Sequence, residues 1–317
     1  MFEAIMEQIR AHETIILHRH AHPDGDALGS QIGLKHIIQD NFPGKRVLMA
    51  GDAPRRYAFM ADSAMDDIAD ADYAQALAII LDTSAPALIS DSRYILAADT
   101  ARIDHHIFID AIARVEVVDE GFESCCGLIT ALAMENGLTV SLIAAQSLFT
   151  GMVTDSGRFR YDGTTAGTFE RAAFLMRQPI PTGEIYRSLY AMEFEQLCMR
   201  AQYTLKIRFT PHRVAYIYTT LSELRRLPAD AFTVSRGMVG VMADIQGVDI
   251  WVNFTETPEG VLCELRSGPF NINPIAAQYG GGGHAQASGA TLRDRNEAMR
   301  MLSDLDDMVR EAAACAK

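Results

Sequence analysis

The segment HRHAHPDGDALGS, residues 18–30, places three histidines and two aspartates within nine positions and then turns small and apolar. Imidazole nitrogen with carboxylate oxygen is a donor set that suits divalent transition-metal ions. Three more clusters of the same chemistry recur along the chain. Asp82 closes the apolar run LAIILD, Asp104-His105-His106 closes ARIDHH, and Asp155 closes GMVTD. Crowded carboxylates repel one another, and a bound cation is the usual compensation. Asp155 ends an apolar helical pattern, where a negative charge opposes the helix dipole, so it too calls for a cation. The chemistry these residues point to is hydrolysis at a pair of metal ions.

A fifth piece is the tract QYGGGGHAQASGA, residues 278–290, preceded by LRSG with Arg266 and Ser267. Gly280 alone reads as a helix C-cap. Four consecutive glycines exceed that need, and glycine backbone lets several N–H groups approach an anion. Asp24 and Asp26 by themselves also read as turn residues around Gly25. That reading weakens once Asp82, His105 and Asp155 are counted. His18 and His22 read as structural residues, while His20 precedes the Pro-Asp-x-Asp run and reads as a ligand. Because the three alternate, a strand would put them on one face. Asp52 and Asp62 read as solvated, and His12, His36 and His212 as surface or packing residues. Arg158, Arg160 and Arg236 are candidate substrate contacts, with a solvated loop as the competing reading for the first two.

The elements that must position these residues follow an α/β pattern. TIILH (14–18), RVLMAG (46–51), LAIILD (77–82), ARIDHH (101–106) and ARVEVVD (113–119) read as strands. Near-continuous apolar runs suit strands buried on both faces, as in a parallel sheet. The acids and histidines fall at the carboxyl ends of these strands, where open α/β sheets bind ligands. Helices are expected at 1–15, 26–41, 124–136, 140–155 and 164–178. Residues 182–205 read as one long helix joining two domains, with Pro179 and Pro181 breaking the chain before it. From 205 the pattern becomes α+β. The expected organisation is a parallel-sheet domain over residues 1–180, a helical linker over 181–204 and a smaller α+β domain over 205–317.

Composition narrows the partners. The chain has 317 residues, 41 acidic and 28 basic, for a formal net charge of −13. A surface this acidic is ill suited to grip long nucleic acid. A small anionic substrate remains compatible, since bound metal reverses the local sign. The five cysteines, Cys125, Cys126, Cys198, Cys263 and Cys315, form no CxxC pair and read as free thiols. No apolar stretch is long enough to span a bilayer. The amino-terminal segment lacks the pattern of a signal peptide, so a cytoplasmic protein without membrane contact is expected.

The order and context of His20-x-x-x-Asp24-x-Asp26, Asp82, Asp104-His105-His106 and Asp155 resemble the four motifs of the DHH phosphoesterase superfamily. GGGGH resembles the signature of the DHHA1 domain that follows it. Together, over essentially the whole chain, they resemble the nanoRNase/pAp-phosphatase (NrnA-like) branch. The resemblance implies two divalent ions, usually Mn²⁺. His20, Asp24 and Asp82 would hold one; Asp26, Asp82, His105 and Asp155 would hold the other, with Asp82 bridging. It implies that His106 contacts phosphate, with Asp104 the acceptor that supports a neighbouring histidine. Arg266, Ser267, the Gly281, Gly282 and Gly283 backbone and His284 would hold substrate. It further implies a homodimer acting on short oligoribonucleotides, the linear dinucleotide pApA or 3′-phosphoadenosine 5′-phosphate. Cyclic-dinucleotide cleavage, pyrophosphate hydrolysis and non-catalytic nucleotide binding are the competing functions. Cys125 and Cys126 stand where the family usually carries Ser or Thr. They lie outside the metal motifs and are expected to affect packing or oxidation sensitivity rather than activity.

Overall fold

The computed structural model describes residues 1–315, and the thiol of Cys315 lies outside the described side chains. The chain divides into two compact units, Met1–Ala191 and Met192–Lys317.

The first unit opens with α1 (Glu3–Ala11), shorter than the expected helix because Thr14 already starts β1 (Thr14–His18). Then come α2 (Gly25–Asn41), β2 (Arg46–Met49), β3 (Ala76–Leu81), β4 (Asp99–Asp104) and β5 (Val115–Val118). The strands pair in parallel in the order β2-β1-β3-β4-β5. All six residues of β3 are buried, which explains its unbroken apolar sequence. The chain leaves β1 toward β2 on one side and returns to β3 on the other. That reversal opens a crevice at the carboxyl ends of β1 and β3, where open α/β sheets bind ligands.

Four helices complete this unit: α3 (Cys125–Glu135), α4 (Leu142–Asp155), α5 (Ala166–Leu175) and α6 (Thr182–Tyr190). The close pairing of α2 with α4 depends on glycine. A Cβ on Gly25 would lie 2.5 Å from the Thr154 hydroxyl, and one on Gly29 2.5 Å from the Ser147 carbonyl. A Cβ on Gly33 would lie 2.5 Å from Leu148. The two helices therefore run antiparallel at backbone contact, which sets Asp155, at the end of α4, beside the start of α2.

The stretch expected as a single connecting helix is two helices. α6 buries Ile185 and Leu189 in the core of the first unit, and α7 (Phe194–Lys206) buries Tyr203 in a core of the second. The break at 191–193 falls where the apolar face changes core.

The second unit continues with β6 (Arg208–Phe209), β7 (Ala215–Thr219), α8 (Leu221–Leu224), α9 (Ala231–Val239), β8 (Ile250–Thr257) and β9 (Gly260–Ser267). It ends with α10 (Asn273–Gln278), β10 (Gly282–Gly283), β11 (Ala287–Leu292) and α11 (Arg295–Cys315). Its six strands order as β10-β11-β9-β8-β7-β6, and β7–β8 is the parallel pair. Strict alternation of burial along β9 matches a sheet with differently packed faces. α9 was not expected. Its signal is Asp230, whose carboxylate accepts the Thr233 N–H and caps the helix.

Candidate metal centre and substrate face

The centre is built on the turns after β1, β3 and β4 and on the facing ends of α2 and α4. Asp24 caps α2: its Oδ1 accepts the N–H groups of Asp26 and Ala27, each at 2.9 Å. The other oxygen, Oδ2, lies 3.8 Å from His20 Nε2. His20 Nδ1 lies 2.8 Å from the Ala21 carbonyl, which can only accept, so the proton sits on Nδ1 and Nε2 is the free ligand atom. Asp82 follows β3 in a left-handed backbone conformation, φ 49°, an uncommon state for a non-glycine residue. It reaches both sides of the centre. Its Oδ2 is 3.5 Å from His20 Nε2, and its Oδ1 is 3.4 Å from His105 Nε2. His105 Nε2 also lies 3.3 Å from Asp155 Oδ2 and 3.8 Å from Asp26 Oδ2. The Phe122 carbonyl, 3.3 Å from His105 Nδ1, leaves Nε2 as its ligand atom.

The six residues expected as ligands therefore converge. Three groups of ligand atoms form: His20 with Asp24 and Asp82, Asp26 with His105 and Asp155, and Asp82 with His105 and His106. The Asp104 carboxylate accepts from His106 Nδ1 at 2.7 Å and from the buried Arg102 guanidinium at 2.5 Å. His106 is thereby held with Nε2 available. Among the described side chains, Asp82 Oδ1 is buried without a hydrogen-bond partner. A buried carboxylate oxygen left without a donor is costly, and a cation meets that need. Oxygen and imidazole donors around such an atom fit a divalent ion.

The ionisation of the cluster tells the same story. Burial disfavours the charged form of His20, but Asp24 and Asp82 outweigh it and push its pKa up to about 11. Burial also opposes charge on His105, and Asp82, Asp26 and Asp155 again raise it. Burial drives the Asp26 carboxyl up, aided by the charges on Asp82 and Asp155. Asp155 is raised by burial and Asp82 against the pull of His105. Asp82 is held low despite burial by the imidazoles of His105 and His20 beside it. Protons thus compensate a charge density that a metal would otherwise balance.

One supporting element was not foreseen. Asp26 receives the N–H groups of Cys125 and Cys126, at 2.7 Å to Oδ2 and 2.9 Å to Oδ1. The amino terminus of α3 therefore holds this carboxylate, and the two cysteines serve the centre through their backbone. Both thiols are buried, and burial raises their pKa, so the expected oxidation sensitivity is disfavoured. Sequence alone contained one hint, the Glu-Ser preceding a helical run, which is a capping signal.

Other readings change in detail. The three histidines do not share a face, because β1 ends at His18. His18 is buried beside the rings of Tyr73 and Tyr94, and burial lowers its pKa to about 4. His22 is exposed, with φ 56°. Asp52 is not simply solvated: it accepts from buried Arg19 and from Ser90 and the His22 N–H. Asp62 lies 3.0 Å from His36 Nε2. The Arg158 guanidinium stacks on the Tyr190 ring, 3.8 Å from its centroid.

In the second unit, the expected substrate contacts lie on β9 and on the β10–β11 hairpin that pairs with it. Arg266 pairs in register with Ala287, and the Ser267 N–H donates to the Gln286 carbonyl. Gly282 and Gly283 pair with Gly289 and Ser288, and His284 and Ala287 close the hairpin through their backbones. Much of the glycine tract answers to backbone demands. Gly280 follows α10 with φ 75°, and a Cβ on Gly281 would lie 2.1 Å from the Gly289 carbonyl. Gly282 is free of such constraint. The Ser267 hydroxyl donates to the Phe270 carbonyl at 2.5 Å. Arg266 and Arg236 both pair with Glu264, at 3.1 and 3.2 Å.

The comparisons agree with this construction. The DHH family, N-terminal domain, matches residues 14–152, and the DHHA1 domain matches residues 229–311. A bifunctional oligoribonuclease and PAP phosphatase NrnA of Bacillus subtilis is 31% identical, over 97% of this chain and 98% of its own. A probable counterpart from Streptococcus mutans is 33% identical, over 98% and 99%. An exopolyphosphatase-related protein from Bacteroides fragilis superposes with a TM-score of 0.84 at 24% identity, covering 98% and 97% of the two chains, and shares the fold. The chain belongs to the DHH/DHHA1 phosphoesterase family, whose members use divalent metals. No helix among the described residues is long and apolar enough to cross a membrane.

Proposed function

We propose that this protein is a two-metal hydrolase that cleaves short oligoribonucleotides and linear dinucleotides to mononucleotides and removes phosphate from 3′-phosphoadenosine 5′-phosphate. The observation that carries the reading is Asp82, a buried carboxylate set between two histidine-containing clusters with one oxygen unsatisfied. The names of the nearly full-length relatives support the substrate class. His20, Asp24 and Asp82 would hold one ion and Asp26, Asp82, His105 and Asp155 the other, with Mn²⁺ the expected metal. When bound, the pair supplies positive charge at the phosphoryl oxygens and makes hydroxide accessible near neutral pH.

The chain's own groups do the rest. Asp104 holds His106 Nδ1–H and raises the imidazole pKa, which favours a proton on Nε2 that would face a phosphoryl oxygen. Arg102 keeps the Asp104 carboxylate ionised while it does so. The carbonyls of Ala21 and Phe122 hold the Nδ1–H of His20 and His105, so that each would lose its Nε2 proton and present that atom to an ion. Arg266, Ser267, the Gly281 to Gly283 backbone and His284 would hold the substrate's phosphates and ribose. Homodimerisation, implied by the family resemblance alone, and a cytoplasmic location, expected from the sequence, belong to the same proposal.

The test is turnover with Mn²⁺ of pApA, a five-nucleotide RNA, 3′-phosphoadenosine 5′-phosphate, cyclic di-AMP and pyrophosphate at matched concentrations. Mononucleotide or phosphate release from the first three supports the reading. Exclusive turnover of pyrophosphate or the cyclic dinucleotide replaces the substrate assignment.

A further inference from the structure

A buried ion pair lies behind one half of the centre. Glu123 Oε2 accepts from Arg171 Nη2 at 2.5 Å and from the Thr168 hydroxyl at 2.8 Å, both on α5. Both side chains are well shielded, at 1% and 12% exposure, so the pair is not a screened surface contact. The Arg171 guanidinium also stacks over the Phe122 ring, 4.3 Å from its centroid. Glu123 folds back over the first turn of α3 so closely that a Cβ on Gly127 would meet its Oε1 at 2.3 Å. The chain segment gripped in this way is residues 122–126. Its first carbonyl orients His105, and its last two N–H groups hold Asp26. Among the described residues, no hydrogen bond, ion pair or ring contact of Glu123, Thr168 or Arg171 reaches His20 or Asp24.

We infer that Glu123 and Arg171 are positioning residues for one metal position only, the one lined by Asp26, His105 and Asp155, and that α5 thereby sets the affinity of that ion independently of its neighbour. This rests on the two-metal reading above. The physical reason is that a ligand's partner fixes its direction, and loss of such a partner costs about 10–100-fold in metal affinity. The His20–Asp24 position takes its order from the α2 cap and the Ala21 carbonyl, which the clamp does not touch.

The experiment is titration of metal-free protein with Mn²⁺, followed by calorimetry and by the thermal midpoint. In Arg171→Met, one of two binding events is expected to weaken about 10–100-fold while the other stays within about threefold. Arg171→Lys should recover part of that loss. Removing one partner of a buried pair can prevent folding. Thr168→Val deletes the hydroxyl's bond to Glu123, together with the Thr165 N–H bond at the start of α5, and should show the same one-sided loss on a smaller scale. Equal weakening of both events, in step with the thermal midpoint of the metal-free variants, would overturn the inference. So would two unchanged events in the folded variants. A wild type that binds a single equivalent overturns the two-metal reading, and the inference with it.

Discussion

The two units handle charge in opposite ways. In the first, Asp26, Asp82 and Asp104 are buried and packed among histidines, with Asp26 raised well above its ordinary ionisation and Asp82 and Asp104 lowered. In the second, Arg236 and His284 are exposed, and Arg266 and Arg236 lean on one acid, Glu264. The first arrangement is rigid: each expected ligand is aimed by a strand end, a helix cap or a backbone carbonyl, in a core that pins those elements. The second is a face whose shape is set by hairpin backbone, with side chains that retain freedom. Such a division suits a centre whose ligand directions must hold closely and, in the proposed function, a face that would accommodate several small nucleotides.

The largest effect that tests this contrast is Asp82→Ala. Both ions should be lost and turnover should fall at least about a thousandfold, equivalent to about 4 kcal/mol of transition-state stabilisation. Elemental analysis that still finds two ions per chain would remove Asp82 as the bridge. His106→Ala should lower turnover about a hundredfold or more while metal content stays at the wild-type value. Loss of one ion in that variant would move His106 into the ligand set, which the Asp82–His105–His106 grouping allows geometrically. His284→Ala, on the exposed face, should raise KM roughly tenfold with metal content and metal-free stability unchanged. Any fall in metal content there would break the division between units.

A pH experiment probes the buried side alone. The pKa of His20 rises from 6.5 to about 11 on folding, so its stabilising contribution is full below pH 6.5 and is lost as pH climbs toward 11. Raised Asp26 and Asp155 act with the same sign, since the folded chain binds protons that the unfolded chain releases. Asp82 and Asp104, held low, are fully ionised throughout this range and contribute a constant amount. The metal-free protein should therefore lose thermal stability as pH rises, through Asp155 between about pH 4 and 7 and through His20 between about pH 6.5 and 11, and Mn²⁺ should restore it with release of protons. A flat profile would mean that the cluster is not protonated in the absence of metal. The smallest effect belongs to the glycine tract. Gly282→Ala should change stability by less than about 0.5 kcal/mol, whereas Gly281→Ala, which meets the Gly289 carbonyl, should cost about 1–3 kcal/mol. Equal effects at both positions would assign the tract a different backbone.

Much of this was readable in the chain. The apolar runs placed all five strands of the first sheet within a few residues, because strands buried on both faces leave little choice of side chain. The convergence of the candidate ligands was readable because metal chemistry restricts residue type and because strand ends are where α/β sheets present it. The histidine alternation misled because periodicity holds only while the strand lasts, and β1 stops at His18. The long connecting helix misled because helical spacing continues across 182–205 while the core it serves changes.

Sequence by itself thus determined the class of element, the sheet type, the candidate donor atoms and the kind of ion their chemistry suits, all of which follow from local patterning and residue chemistry. Tertiary structure alone decided that Cys125 and Cys126 hold Asp26 by their N–H groups, that Arg171 stands behind Phe122, and that Asp155 reaches His105 from the far end of α4. Those contacts join residues tens of positions apart, or use backbone groups that every residue carries. Residue type records neither, because the information lies in how closely glycine lets two helices pack and where the sheet reverses its order.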